Sequence, residues 1–217
     1  MTSPLLIDLL IFDLDGTLAD TRRDLTDAVN HARAAFGRAP LDVRTVTGFV
    51  GDGVAKLLER ALPGLSASER AEARAAFDAF YAAHYCDHTR PYPGIPEALR
   101  RFAHKKRAVL TNKAEPFVAP MLERMGLRAC FDAVQGACSG LPPKPDPAPV
   151  LRLLDRCDAL PERTLLIGDG PQDIRAGQAA RVRTCAVTYG FRTADELRPL
   201  APDFLIDDPR MLLSLVC

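Results

Sequence analysis

Four aspartates in two short segments could together hold a divalent metal ion. Asp13 and Asp15 are separated by one residue in Asp13-Leu-Asp-Gly-Thr17, and Asp169 and Asp173 are close together in the C-terminal part of the chain. Alternate side chains of an extended chain point the same way, so the first two carboxylates can face one crevice. Clustered carboxylates repel each other unless a cation neutralises them, and a hard divalent cation prefers oxygen ligands. The aspartates therefore predict Mg²⁺ as the cofactor.

Polar and basic residues in two other segments complete the pattern. Thr111 and Asn112 supply hydrogen-bond donors, and Lys144, one of only five lysines, supplies a positive charge. A metal-binding acid cluster facing a hydroxyl, an amide and an ammonium group suits an incoming phosphoryl group. Asp13 can then attack phosphorus as a carboxylate nucleophile and form an aspartyl-phosphate. Asp15 can protonate the leaving alkoxide and afterwards activate water.

An alternation of strands and helices is expected to bring these segments together. Nearly continuous aliphatic runs that end in polar loops predict strands buried on both faces, and helical segments lie between them. The alternation predicts an α/β fold, a Rossmann-like parallel sheet flanked by helices, with ligands at the carboxyl ends of the strands. The predicted strands cover residues 5–12, 107–110, 131–134 and 164–167, and the predicted helices cover 95–103, 115–125, 148–157 and 171–180.

Residues 21–89 interrupt this alternation with an all-helical segment. Helical patterns cover residues 22–36, 43–50, 54–61 and 69–85, with no strand pattern between them. Turn-forming residues flank the segment at both ends. We therefore expect a core domain made of residues 1–19 plus 90–217, and a helical cap domain of residues 20–89 inserted after the first strand.

The chemical motifs, taken in chain order, resemble the four motifs of the haloacid dehalogenase superfamily. The helical insert after the first motif is similar to the C1-type cap of that superfamily, and the resemblance covers essentially the whole chain. The matching motifs are Asp13-Leu-Asp-Gly-Thr17, Thr111-Asn112, Lys144-Pro145-Asp146, and Gly168-Asp169 with Asp173.

The resemblance implies a role for each motif residue. Asp13 would be the nucleophile and a Mg²⁺ ligand, and Asp15 would be the acid/base and would offer its backbone carbonyl to the metal. Asp169 would be a further ligand, supported by Asp173. Thr111 and Lys144 would hold the phosphate, so that Lys144 joins the two aspartates in catalysis.

Other phrases resemble the phosphoglycolate phosphatase branch most closely: Val50-Gly-Asp-Gly-Val54, Arg90-Pro-Tyr-Pro-Gly-Ile95 and Val187-Thr-Tyr-Gly-Phe191. The resemblance implies a Mg²⁺-dependent phosphatase that hydrolyses a small phosphorylated metabolite. Among such metabolites, it favours 2-phosphoglycolate as the substrate. Such a substrate needs a donor or cation near its carboxylate. Arg22, Arg44 and Lys56 in the cap are the candidates.

Three alternatives remain open at this stage. The phosphatase could act on sugar phosphates, nucleotides or pyrophosphate. A cap lysine serves as a Schiff base in phosphonoacetaldehyde hydrolases, which leaves that activity open for Lys56. From a different class of protein, a phosphate-accepting receiver module combines similar residues with Mg²⁺ but acts as a switch and needs no helical cap.

Composition bears on partners and location. Lysine plus arginine number 28 and aspartate plus glutamate number 28, so the chain lacks the basic surplus typical of nucleic-acid binders. The most apolar stretch, residues 5–12, contains Asp8 and is far shorter than the roughly 20 residues that span a bilayer. We therefore expect neither nucleic acid nor membrane as a partner, and a cytoplasmic location.

Overall fold

The computed structural model describes residues 5–138 and 140–217 and contains one large parallel sheet and one small antiparallel ribbon. The strands are β1 (Leu9–Phe12), β2 (Ala19–Asp20), β3 (Arg90–Pro91), β4 (Lys106–Ala114), β5 (Ala133–Ala137), β6 (Thr164–Gly168), β7 (Arg183–Val187) and β8 (Phe204–Ile206). The α-helices are α1 (Arg22–Ala35), α2 (Val43–Phe49), α3 (Val54–Ala61), α4 (Ala67–His84), α5 (Ile95–Arg101), α6 (Glu115–Arg124), α7 (Ala148–Arg156), α8 (Pro171–Ala179), α9 (Ala194–Leu197) and α10 (Leu212–Leu215).

The large sheet has the strand order β5-β4-β1-β6-β7-β8, and every neighbouring pair is parallel. Its central strand, β1, is fully buried because alternate residues enter different apolar clusters on the two faces. Leu10 and Phe12 pack in one cluster, and Leu9 and Ile11 pack in the other. Helices thus cover both faces, and the predicted α/β fold is confirmed.

The pairing register brings the carboxyl ends of three strands to one edge of the sheet. Phe12 at the end of β1 lies opposite Val109 of β4 and Ile167 of β6. The backbone N–H of Asp13 continues the ladder with a 2.9 Å hydrogen bond to the carbonyl of Ile167. The residues that follow these strands therefore meet above the centre of the sheet, as expected for this architecture.

Helices α1–α4, here called the helical insert, pack around an apolar cluster of their own. Phe77 and Tyr81 of α4 meet Ala28 and Val29 of α1 in this cluster. Helix α4 begins with a capping box formed by Ser66 and Glu69. The ribbon of β2 and β3 joins the two ends of the insert to the rest of the chain.

Two parts of the sheet differ from the expectation. The first strand begins at Leu9, since Leu5 makes only an isolated bridge to Val216. Strands β7 and β8 lie outside the predicted set, since neither carries a long aliphatic run. Among the residues described, no helix combines the length and the apolar character needed to cross a bilayer.

Candidate active site

A buried lysine connects the end of β1 with the beginning of α8. Lys144 Nζ donates to Asp13 Oδ1 at 2.9 Å, to Asp173 Oδ1 at 2.5 Å and to the carbonyl of Leu110 at 2.7 Å. An ammonium group has three donors, so these contacts use all of them. Burial opposes the charge, but the two carboxylates outweigh it and raise the pKa of Lys144. Lys144 is therefore a charged counter-ion at the centre of the site.

Asn112 at the end of β4 holds the loop that carries Lys144. Its Oδ1 accepts from the backbone N–H of Lys144 at 2.9 Å, and its Nδ2 donates to the Lys144 carbonyl at 2.9 Å. The same Nδ2 donates to the carbonyl of Gly51 in the helical insert, also at 2.9 Å. The peptide bond between Lys144 and Pro145 is cis. Because the amide group of Asn112 is occupied, its side chain positions Lys144 and contacts the insert. A contact between this side chain and phosphate stays a prediction, since both Nδ2 hydrogens are donated to protein carbonyls here.

Three buried carboxylates form a compact group at this point. One oxygen from each of Asp13, Asp169 and Asp173 lies within 4.8 Å of the others. Asp169 follows β6 and accepts a 2.7 Å hydrogen bond from the backbone N–H of Phe191. Gly16 has φ of +86°, and a Cβ there would lie 2.1 Å from Asp169 Oδ2. The first loop must therefore carry glycine at this position to leave room for the carboxylate.

Two of these carboxyl groups, those of Asp13 and Asp169, have raised pKa values. Burial raises the pKa of Asp13 to about 7, even though the Lys144 ammonium beside it has the opposite effect. Burial and the neighbouring Asp13 raise the pKa of Asp169 well above its ordinary value. The three carboxylates together exceed the single positive charge of Lys144. The group therefore carries an uncompensated negative charge when all of its members are ionised.

A second buried ion pair involves Asp15. Lys113 Nζ lies 3.0 Å from Asp15 Oδ1 and 3.3 Å from Oδ2. The same ammonium lies above the ring of Tyr81, 4.9 Å from its centroid. Burial opposes charge on Lys113, but Asp15 and Tyr81 outweigh it, so the pKa of Lys113 is raised. The carboxylate of Asp15 is thus directed to a lysine, away from the group around Asp13.

The two aspartates of the first loop line a pocket between the sheet edge and the helical insert. Arg192, in the segment after β7, closes one side of it. Its guanidinium donates to the carbonyls of Thr47 at 3.1 Å, Gly48 at 3.1 Å and Val50 at 2.7 Å, at the end of α2. Apolar side chains from both sides complete the wall: Leu25, Val50, Val54, Leu57, Tyr81, Phe117 and Phe191.

At the carboxyl edge of the parallel sheet, the site combines a buried acid cluster, an ammonium counter-ion and an apolar wall. Comparison with known proteins agrees with this arrangement. The family model of haloacid dehalogenase-like hydrolases matches residues 7–181. The chain is a haloacid dehalogenase-like hydrolase. The resemblance inferred from the four motifs is confirmed.

Relatives of this hydrolase are similar over nearly its full length. Phosphoglycolate phosphatase 1 of Pseudomonas aeruginosa is 38% identical over 212 residues, which cover 94% of this chain and 78% of the relative. Phosphoglycolate phosphatase of Psychrobacter arcticus is 37% identical over 210 residues, covering 92% and 91%. A crystal structure described as a predicted phosphoglycolate phosphatase from Haemophilus somnus superposes with a TM-score of 0.91 at 28% identity, covering 96% of this chain and 97% of that one.

The hydrolase brings most of its sequence-predicted residues together, but not the basic residues of the insert. Asp13, Asp15, Thr111, Asn112, Lys144 and Asp169 line the pocket, and Asp173 lies behind Lys144.

Arg22, Arg44 and Lys56 do not line this pocket. Arg22 pairs with Asp20 through two hydrogen bonds of 2.8 and 2.7 Å. Lys56 is exposed and pairs with Glu59 at 2.7 Å, and Arg44 is exposed on α2. None of the three lines the pocket in this structure, although the Arg22 guanidinium lies 5.9 Å from the ring centroid of the pocket residue Phe191. Their contact with the substrate stays a prediction.

Lys113 and Arg192 are the pocket cations that the sequence reasoning missed. Lys113 directly follows Thr111-Asn112 and is one of few lysines in the chain, so its position beside a motif was an available signal. Arg192 offered no such signal, because its role depends on contact between two segments far apart in sequence.

Proposed function

We propose that this hydrolase is a Mg²⁺-dependent phosphatase that cleaves a small phosphomonoester, 2-phosphoglycolate, through an aspartyl-phosphate on Asp13. The observation that carries the proposal is the convergence of Asp13, Lys144 and Asp169 in one pocket. The relatives at 37–38% identity are phosphoglycolate phosphatases and match this chain over most of its length. The proposed substrate is the one after which these relatives are named.

The donor set fits a hard divalent cation. Asp13 and Asp169 offer carboxylate oxygens within one compact buried group, and Asp173 of the same group is held by Lys144. Such oxygens are the ligands that Mg²⁺ takes in phosphoryl-transfer enzymes. We propose that Asp13, the backbone carbonyl of Asp15 and Asp169 hold the ion, with Asp173 supporting them. Bound Mg²⁺ would neutralise charge on the carboxylates and on the phosphoryl oxygens.

The first chemical step belongs to the two aspartates of the first loop. A carboxylate oxygen of Asp13 attacks phosphorus and forms a new P–O bond, while the ester P–O bond to the alkoxide breaks. Asp15 donates a proton to the leaving oxygen. Thr111 donates to the phosphoryl group, and the positive charge of the Lys144 ammonium stabilises the negative charge that shifts during this transfer. The backbone of this loop is fixed by the ladder hydrogen bond of Asp13 to Ile167, which orients the nucleophile.

The second step regenerates the enzyme. Asp15 accepts a proton from water, the water oxygen attacks phosphorus, and the bond between phosphorus and Asp13 breaks to release phosphate. The apolar wall of the pocket and the contacts of Arg192 and Asn112 with the insert keep bulk water away from both steps. We propose residues 1–19 plus 90–217 as the core and residues 20–89 as a cap that closes over the substrate.

The size of the pocket favours a small substrate. The cavity volume is about 50 Å³, so a small ester requires less rearrangement of the insert than a large one. A nucleotide or a large sugar phosphate would require the insert to move away from the sheet edge. The phosphonoacetaldehyde hydrolase alternative depended on Lys56, which lies outside the pocket. A phosphate-accepting switch is not supported, since the family is one of hydrolases. Cytoplasmic location stays a prediction from composition.

A phosphatase panel with Mg²⁺ tests the proposal. Wild-type protein is expected to release inorganic phosphate over many turnovers, fastest from 2-phosphoglycolate and more slowly from sugar phosphates, nucleotides and pyrophosphate. Asp13→Asn should reduce turnover by about 10⁶-fold, as removal of a covalent nucleophile does, without changing the circular dichroism spectrum. Near-wild-type turnover by this variant would refute the nucleophile assignment.

A further inference from the structure

Two donors in the pocket are not used by the proposed phosphoryl transfer. Lys113 of β4 and Tyr81 of α4 both line the pocket, and both are nearly inaccessible to solvent. Among the described residues, the Tyr81 hydroxyl is buried and makes no hydrogen bond of regular geometry, although it interacts electrostatically with Lys113. Lys113 can only donate to this hydroxyl, so among the described residues the hydroxyl hydrogen has no acceptor. An unsatisfied buried donor is costly, and it points to a ligand that would accept from it.

The charge state of these two groups suits an anion. Burial raises the pKa of Tyr81 to about 12, so its hydroxyl remains a donor at neutral pH. Lys113 donates to the carboxylate of Asp15 and interacts with the Tyr81 hydroxyl, which leaves one of the three ammonium donors for a ligand. Lys144 differs, because its three donors are all occupied by protein oxygens.

Lys113 lies on the side of the pocket where the leaving group of the substrate is expected. Asp15 is proposed to protonate the ester oxygen, and Lys113 Nζ is 3.0 Å from the carboxylate of Asp15. In 2-phosphoglycolate the ester oxygen and the carboxylate are joined through one methylene group. A substrate whose ester oxygen faces Asp15 thus places its carboxylate within the surroundings of Lys113 and Tyr81.

We propose that Lys113 and Tyr81 form a subsite for the carboxylate of the substrate, so that this pair selects carboxylate-bearing phosphomonoesters. The inference rests on the proposed function and extends it to specificity. Lys113 belongs to the sheet and Tyr81 to the helical insert, so a carboxylate bound by both links the two sides of the closed pocket. The apolar side chains around them strengthen the attraction by excluding water.

Other charged groups of the pocket are less suited to this role. The guanidinium of Arg192 donates to three backbone carbonyls of the insert. Asp78 of α4 lines the pocket but pairs with Arg74 at 2.6 Å, so its negative charge is compensated. The cationic and hydroxyl donors near Asp15 therefore remain as the carboxylate site.

The test compares 2-phosphoglycolate with ethyl phosphate, which has the same ester linkage but no carboxylate. Wild-type enzyme should prefer 2-phosphoglycolate in kcat/KM. Lys113→Met should reduce that preference by about 100-fold, and Tyr81→Phe by about 10-fold, as expected for lost hydrogen bonds to a charged group. The loss for Tyr81→Phe should appear in KM for 2-phosphoglycolate and should exceed any change with ethyl phosphate by about 10-fold.

Matched controls come from the same chain. Tyr92→Phe removes another buried hydroxyl that, within the described part of the chain, makes no hydrogen bond of regular geometry, at a residue outside the pocket. Lys105→Met removes a lysine that donates to the carbonyl of Ile7 at 2.7 Å, also outside the pocket. Both controls should keep the wild-type preference between the two substrates.

Two results overturn the subsite. One is a wild-type enzyme that hydrolyses both esters equally well. The other is a Lys113→Met variant that slows both esters by the same factor, together with a Tyr81→Phe variant that keeps the wild-type preference. That pattern would restrict Lys113 to positioning Asp15. Failure of the proposed function has a different signature, because wild-type enzyme would then release no phosphate from any ester.

Discussion

Replacing Lys144 by methionine should destabilise the protein strongly, and by an amount that depends on pH. The side chain of Lys144 is 1% exposed and that of Asp13 is 5% exposed. Methionine has a similar length, so the main loss is electrostatic: the carboxylates of Asp13 and Asp173 and the carbonyl of Leu110 lose their shared partner. Breaking a buried pair from one side costs about 3–5 kcal/mol, a large part of the roughly 5–15 kcal/mol that holds a typical domain together.

The pH dependence follows from the direction of the pKa shifts. Even with Lys144 present, burial raises the pKa of Asp13 to about 7 and that of Asp169 well above its ordinary value, and loss of the ammonium raises the pKa of Asp13 further. The folded variant then keeps protons that the unfolded chain releases. Its free energy of unfolding therefore falls as pH rises from about 4 through the folded pKa, by up to about 1.4 kcal/mol per pH unit for each such carboxyl.

Urea unfolding followed by circular dichroism measures this effect in the absence of divalent ions. The deficit of Lys144→Met against wild type should be largest at pH 8 and should shrink at pH 5. Adding Asp13→Asn to the variant removes one uncompensated charge and should recover part of the loss at pH 8. Lys56→Met, at an exposed side chain, should stay within about 0.5 kcal/mol of wild type. Equal urea midpoints for Lys144→Met and wild type at pH 8 would refute the role of Lys144 as buried counter-ion.

Three further predictions concern the pocket and the proposed Mg²⁺ site. Arg192→Met removes the three donors to α2. It should raise KM for all substrates by about 10-fold or more, because each lost contact contributes about 1 kcal/mol. Steady-state assays that show a change for one substrate alone would contradict this. Chelation with EDTA should abolish turnover, and Mg²⁺ at 100 times its Kd should stabilise the protein against urea by about 2.7 kcal/mol. This stabilisation should weaken between pH 8 and pH 5, because protons compete for the carboxylates of raised pKa. Gly16→Ala should lower Mg²⁺ affinity measured by calorimetry, since its Cβ would overlap Asp169; unchanged affinity would argue against Asp169 as a ligand.

The sequence was informative where a residue's position follows from one strand and the loop after it. The buried strand before Asp13 and the strand before Asp169 have aliphatic runs that predict them, and parallel pairing then fixes where their loops meet. Helices α3 and α7 carry clear apolar periodicity, and their observed bounds lie within one residue of expectation. These features are local in sequence and need only general rules of sheet architecture.

The residues that surround the substrate were harder to predict, because their positions depend on how the insert packs against the sheet. Arg22, Arg44 and Lys56 were chosen by charge alone, whereas the rotation of each helix decides which side chains face the pocket. Lys113 and Arg192 act across contacts between distant segments: Lys113 with Asp15, and Arg192 with the end of α2. Such contacts leave no periodic pattern in a single sequence.

The most direct test of the account is chemical trapping of the phosphorylated enzyme. The enzyme is mixed with 2-phosphoglycolate and Mg²⁺, quenched in acid within one turnover and reduced with borohydride, which converts an aspartyl-phosphate to homoserine. Peptide mass spectrometry should find homoserine at position 13 and unmodified aspartate at positions 15, 169 and 173. Rapid phosphate release with intact aspartate at position 13, or modification at another of these positions, would contradict the central claim that Asp13 is the nucleophile.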